Sequence, residues 1–158
     1  MLAMGVDFST KALHCCFEND GHPQIARLEI ANAEIEVTIS LVFDLLGGLI
    51  KTLGDPGILV VERPWSGTNA RSVVKLGQVQ GAILATAYAH GWIAREVDPS
   101  SIRKAIVGQG TAKGKGAIKQ IVQDWVKMVY KMELSEDAAD AVVIWEYARL
   151  LVRTSLVS

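Results

Sequence analysis

The 158-residue chain has only two cysteines, and they are neighbours, Cys15 and Cys16. Adjacent residues on a strand point to opposite faces, which disfavours a disulfide between them, so a reducing, cytoplasmic setting fits best. Long uncharged apolar runs are also missing. The best candidate, Leu41 to Leu53, is interrupted by Asp44 and Lys51, which excludes a bilayer span. No basic segment leading into an apolar stretch and a small-residue cleavage site opens the chain, so no signal peptide is expected. There is no Pro- or Ser-rich linker, no low-complexity tract and no repeat at a solenoid period. What is present fits one domain over residues 1–158, half of it hydrophobic and able to bury a sizeable core.

Several chemistries lack their residues. The three histidines, His14, His22 and His90, are scattered without metal-ligand spacing, and Cys15-Cys16 is not a zinc pattern. No Gly-x-Ser-x-Gly elbow supports a serine hydrolase. The loop Gly110-Thr111-Ala112-Lys113-Gly114-Lys115-Gly116 lacks the spacing of a nucleotide-binding P-loop and does not directly follow an apolar strand. A mobile basic loop tracking a phosphate backbone suits it better. The net charge of −1 gives no hint of a polyanionic partner. Local charge does: Arg103, Lys104, Lys113, Lys115, Lys119, Lys127 and Lys131 share one segment with Asp124 as its single acid. Such a segment makes a positive field for phosphates, with a solvated helix face as the plain alternative.

The order of elements reads β-β-β-α-β-α-β-α-α. Leu2 to Phe8 is a buried strand, Ala12 to Glu18 a second, and Gln24 to Ala31 a third that alternates apolar and polar residues. Short turns at Ser9-Thr10-Lys11 and Asn19-Asp20-Gly21 make these an antiparallel meander. Asn32 is placed to cap a helix over 33–53, weakened or bent at Gly47-Gly48 and ended by Gly54-Asp55-Pro56-Gly57. The apolar run Ile58-Leu59-Val60-Val61 leads into Glu62, as a central parallel strand with a functional residue at its carboxyl end would. A helix over 69–89, a strand over 92–97, a short helix opened by Pro99, a loop over 108–116, a helix over 117–132 and a last helix capped by Ser135 and running to about 152 follow. The expected architecture is an α/β fold of the RNase H-like order, with a five-stranded mixed sheet flanked by helices.

Four carboxylates stand out within this order. Asp7 interrupts an apolar strand, where an ionised group is costly unless paired or metal-bound. Glu62 ends a still more apolar strand, and adjacent central strands would bring both acids to one edge. Asp137 and Asp140 are three apart, on one helix face, among the small residues Ala138, Ala139 and Ala141 that allow close approach to the sheet. Each acid alone has a structural reading: a strand-end ion pair for Glu62, a helix-dipole acid for Asp137. As a set they would repel one another, raise their pKa values and await a cation. Oxygen-only ligation suits two Mg²⁺ or Mn²⁺ ions, the apparatus of phosphodiester cleavage.

The blocks Gly5-Val6-Asp7, Val61-Glu62, Lys75-Leu76-Gly77-Gln78-Val79-Gln80-Gly81, Val107-Gly108-Gln109-Gly110-Thr111-Ala112 and Asp137-Ala138-Ala139-Asp140-Ala141, in this order, resemble the RuvC-type Holliday-junction resolvases over nearly the whole chain. The resemblance implies a homodimeric nuclease that nicks two opposed strands of a four-way DNA junction symmetrically. It implies that Asp7, Glu62, Asp137 and Asp140 are the catalytic metal ligands and that the long helix with Gln78 lies at or near the dimer interface. It puts Trp65 where the family often has an aromatic that wedges against bases; burial of the indole against the sheet is the alternative. Arg103 keeps a basic family position, while a second family lysine falls on Gly114, flanked by Lys113 and Lys115, either of which could serve as the DNA contact if the glycine-rich loop moves. Asn69, Arg71 and Lys75 are candidate phosphate contacts, equally well explained by surface solvation. After Asp7 the family usually has Pro-Gly; here Phe8-Ser9 stands instead, so that turn should differ. These departures keep two other readings open: a broader nuclease of forks, flaps or single strands, and a non-catalytic junction-binding module.

Overall fold

The computed structural model describes residues 1–32, 34–54, 56–64, 69–114 and 116–155. Among them the elements run β1 (Leu2–Phe8), β2 (Ala12–Asn19), β3 (His22–Glu29), α1 (Ile35–Leu53), β4 (Gly57–Glu62), α2 (Ala70–Ala89), β5 (Ile93–Val97), α3 (Pro99–Val107), α4 (Ala117–Tyr130) and α5 (Glu136–Ser155). The strands form one mixed sheet in the order β3-β2-β1-β4-β5. β1, β2 and β3 pair antiparallel, and β4 joins β1 and β5 in parallel. The expected five-stranded architecture is the one observed.

Strand alternation divides the apolar residues between two layers. Met4, Val6, Leu13, Cys15, Leu59 and Val61 face α1 and α2, meeting Val42, Leu46, Ile50, Val79 and Ile83. Cys16, Ile58 and Val60 face the other way, into a cluster with Ile102 of α3, Val122 and Val126 of α4, and Ala139, Ala141, Val142 and Trp145 of α5. Cys15 and Cys16 are both free and buried, one in each layer, as their adjacency on a strand requires.

The second layer is unusually close at one point. A Cβ built on Gly5 of β1 would lie 2.1 Å from the backbone N of Trp145 and 2.6 Å from the carbonyl O of Ala141. Only a glycine lets the α5 backbone sit this near the central strand. Ala139 and Ala141 are fully buried there, which is what their small side chains predicted.

Local differences from the sequence reading have local causes. Asn32 does not cap α1: its Oδ1 accepts the N–H of Glu34 at 3.0 Å, a turn just ahead of the helix, and Glu34 occupies the N-cap position without a side-chain bond. Helix α1 continues through Gly47-Gly48, and the His90 ring packs against Gly47, where an added Cβ would meet it at 2.9 Å. The third strand starts earlier, at His22, and carries Pro23 without penalty because β3 is an edge strand. Trp92 lies just outside β5, yet is 1% exposed. α4 ends at Tyr130, where Lys131 turns left-handed with φ 59°, and α5 extends to Ser155. Ser135 does begin α5, its Oγ accepting the N–H of Ala138 at 3.4 Å.

Candidate active site

The sheet register brings the first two acids together. Val6 pairs with Val61 across the parallel β1–β4 ladder, so Asp7 and Glu62 follow side by side at the carboxyl ends of the two central strands. Alternation turns both toward α5: Asp7 shares the face of Gly5, and Glu62 shares the face of Ile58 and Val60. The close contact at Gly5, made by the α5 backbone from Ala141 to Trp145, holds the N-terminal end of α5 over this edge, where it carries Asp137 in its first turn and Asp140 three residues on.

The charges register that convergence. Burial raises Asp7 to about 8, with repulsion from Asp140, Glu62 and Asp137 adding to it and a hydrogen bond from the Phe8 backbone opposing it. Burial also raises Glu62 to about 7; Asp140 and Asp98 push it further and Arg103 offsets part of the rise. Asp140 is raised to about 6, again chiefly by burial, with Arg103 and Lys119 pulling it down and Asp137 and Glu136 pushing it up. Carboxylates that repel one another in a partly desolvated cleft fit a divalent cation, which would remove the repulsion.

Neighbouring groups hold the cleft in shape. Gln80 of α2, nearly buried, donates from Nε2 to the Glu62 carbonyl at 3.3 Å and so pins the end of β4. Arg63 donates its backbone N–H to Val97 at 2.9 Å and pairs with Glu96. Asp98 caps α3 by accepting the N–H groups of Ser100 and Ser101, which orients the helix that carries Arg103. Lys119 of α4 pairs with Glu136 at the start of α5. Between the strands and α2 lies an open cleft of about 160 Å³ lined by Asp7, Phe8, Glu62, Arg63, Pro64, Leu76 and Pro99.

The candidate DNA contacts divide. Arg103 sits beside Glu62 and Asp140, and its Nε is buried without a hydrogen-bond partner among the described residues. Arg71 and Lys113 are exposed. Lys75 donates to the Asn32 carbonyl at 3.1 Å. Asn69 is the N-cap of α2, its Oδ1 accepting from Arg71 and Ser72, a structural task the sequence reading did not assign to it. Trp65 and Lys115 lie outside the described residues.

One residue outside the expected set stands close to these acids. His14, set aside as scattered, stands directly across from Asp7 in the β1–β2 ladder. Possible ligand atoms of Asp7, His14 and Asp137 all lie within 4.8 Å of one another. Burial lowers the His14 pKa, with nearby Asp137 opposing and Arg27 reinforcing the fall. The signal was in the hairpin register. Ser9 closes the turn, donating its N–H to the Ala12 carbonyl at 3.0 Å while its Oγ accepts from Lys11 and Ala12, and this fixes Phe8 against Leu13 and Asp7 against His14. Ser9 thus gives the altered post-Asp7 turn its own closure.

The model of the family described as "Crossover junction endodeoxyribonuclease RuvC" matches residues 24–145. The chain belongs to the RuvC family. The RuvC of Pseudomonas paraeruginosa is 31% identical over 117 residues, which are 74% of this chain and 65% of that protein. The chain therefore matches somewhat under two thirds of that relative's length. The Thermus thermophilus RuvC in a structure with a Holliday junction superposes with a TM-score of 0.78 at 16% identity, covering 98% of this chain and 96% of that one. The yeast mitochondrial Holliday junction resolvase superposes with a TM-score of 0.59 at 15% identity, covering 96% of this chain and 80% of that one. These likenesses establish the RNase H-like fold. Of the four acids, Glu62, Asp137 and Asp140 fall inside the RuvC family match, while Asp7 lies upstream of it.

Proposed function

We propose that the chain is a metal-dependent endodeoxyribonuclease that resolves four-way DNA junctions by paired, symmetric nicking. The observation that carries the reading is the convergence of Asp7, Glu62 and Asp140, each pushed well above the carboxylate range at one sheet edge. With Asp137 they form a set of carboxylate oxygens suited to two hard divalent cations, Mg²⁺ or Mn²⁺. Bound there, such ions supply Lewis acidity that lowers the pKa of a water and neutralises the leaving oxygen. The protein's own part is to hold the carboxylates on rigid strands and on the start of a helix locked against Gly5. Arg103 and Lys119, close enough to lower the pKa of Asp140, offset negative charge where a phosphate would approach. Lys113 on the neighbouring loop and Arg71 at the head of α2 are exposed cations available to the flanking backbone.

Paired nicking needs two active sites. Helix α2 exposes Val74 and Tyr88, and α1 exposes Val37 and Phe43, an apolar set that supports a homodimer built on this side of the molecule. Cleavage of labelled four-way junctions, forks and linear duplex with Mg²⁺, with Mn²⁺ and with chelator tests the reading. Junction-selective, cation-dependent cuts at opposed positions are expected. Equal cutting of forks and junctions would replace it with a broader branched-DNA nuclease. Junction binding without cleavage under any divalent ion would leave a binding module.

A further inference from the structure

We infer that the His14 imidazole is a nitrogen ligand of the metal site, sharing one divalent cation with Asp7 and Asp137. The inference rests on the reading of the four acids as metal ligands and adds to it a residue that the acidic pattern does not contain.

Three observations carry it. His14 and Asp7 are directly opposed residues of an antiparallel pair, so their side chains leave the sheet on the same face as close neighbours. That face is the one α5 covers, where Asp137 waits at the helix start. The possible ligand atoms of the three residues lie within 4.8 Å of one another. Two metal–ligand bonds of about 2.1 Å put opposed donors roughly 4 Å apart, so a small contraction around an ion closes the set.

The third observation concerns what His14 lacks. Its residue is 8% exposed, and among the described residues neither ring nitrogen has a hydrogen-bond partner. The fold thus sets an imidazole that makes no hydrogen bond of its own beside a cluster of carboxylates. Arg27, its neighbour on β3, is turned to Glu29 in an exposed ion pair. Cys16, on the same face of β2, offers a thiol that burial holds in its neutral form. A cation between Asp7 and Asp137 is the partner the geometry leaves for the imidazole.

The chemical consequence is selectivity. An all-carboxylate set favours hard ions, whereas a mixed nitrogen and oxygen set gains affinity along the transition series, so Co²⁺ and Mn²⁺ should gain relative to Mg²⁺.

The test uses the full chain with Mn²⁺ titrated to saturation and pulsed electron paramagnetic resonance as the readout. A directly bound imidazole gives a nitrogen modulation that changes when the three histidines are ¹⁵N-labelled. That modulation should vanish in His14→Asn and His14→Gln, with Mn²⁺ still bound through the acids. Bound Mn²⁺ with no histidine nitrogen modulation, or a modulation that survives both substitutions, overturns the role of His14 and leaves the acidic site standing. Failure of the unsubstituted protein to bind Mn²⁺ overturns both. The labelled parent protein needs no substitution, so a variant that folds poorly does not stall the test. In calorimetry, His14→Asn should lower Co²⁺ affinity about tenfold or more and Mg²⁺ affinity by less; equal losses for the two ions count against the inference.

Discussion

The two faces of the sheet are built from the same strands and differ by a single residue of phase. On one, Val6 and Val61 close an apolar layer beneath α1 and α2. On the other, the next residues along, Asp7 and Glu62, bring the strand ends up to the acids of α5. A slip of one residue in register would exchange them and bury the acids among leucines and valines. The first face is therefore fixed chiefly by hydrophobic burial. The second is held in place by backbone contact at Gly5 and by the small residues of α5, and it tolerates electrostatic repulsion that the first could not.

The largest effect should come from Asp7→Asn. It removes a charge without changing shape, so junction cleavage should fall by about 10³-fold or more while DNA binding persists. The same change should raise the melting temperature of the metal-free protein at pH 8, because a repelled carboxylate is lost. Normal cutting by this variant would break the assignment of chemistry to the second face.

Gly5→Ala strikes the same face through packing. The backbone of α5 has no flexible side chain to yield there, so the loss should be about 3 kcal/mol or more, seen in chemical denaturation. Leu59→Ala on the opposite face should cost a comparable 2 to 5 kcal/mol, roughly. The two differ in one respect: at a concentration of denaturant-free, still folded protein, the Leu59 variant should keep its metal affinity, and the Gly5 variant should lose part of it.

Titration sharpens the comparison further. Asp7, Glu62 and Asp140 have folded pKa values of about 8, about 7 and about 6, above their ordinary 3.8, 4.5 and 3.8. Between roughly pH 4 and pH 8 the folded chain then binds more protons than the unfolded chain, so stability falls as pH rises through this window. The metal-free melting temperature should be higher at pH 5 than at pH 8, and divalent cation at pH 8 should recover much of the difference. A metal-free protein equally stable at both values would mean that the carboxylates do not crowd as described.

The smallest effect belongs to Gly48→Ala. This exposed position within α1 has nothing within 4 Å of an added Cβ, so the helix should gain about 1 kcal/mol. Set beside Gly5→Ala, it separates a glycine the fold requires from one it merely carries.

Much of this was legible in the linear order of residues. Apolar runs and turn signals marked every strand, and the spacing of Asp137 and Asp140 put both on one helix face. The N-cap reading failed where a local signal competed with a neighbour: Asn32 bonds the residue before the helix. His14 escaped because a lone histidine in an apolar strand has no spacing to betray it; its meaning depends on which residue sits across the hairpin.

The sequence by itself determined the element order, the apolar periodicity and the four acids at element ends, since each depends on residues close together in the chain. Tertiary structure alone decided that Asp7 stands across from His14, that Glu62 arrives beside Asp7, and that α5 presses on Gly5. Those relations are set by strand register and by backbone approach between segments more than a hundred residues apart in the last case, and no local preference of a residue encodes them.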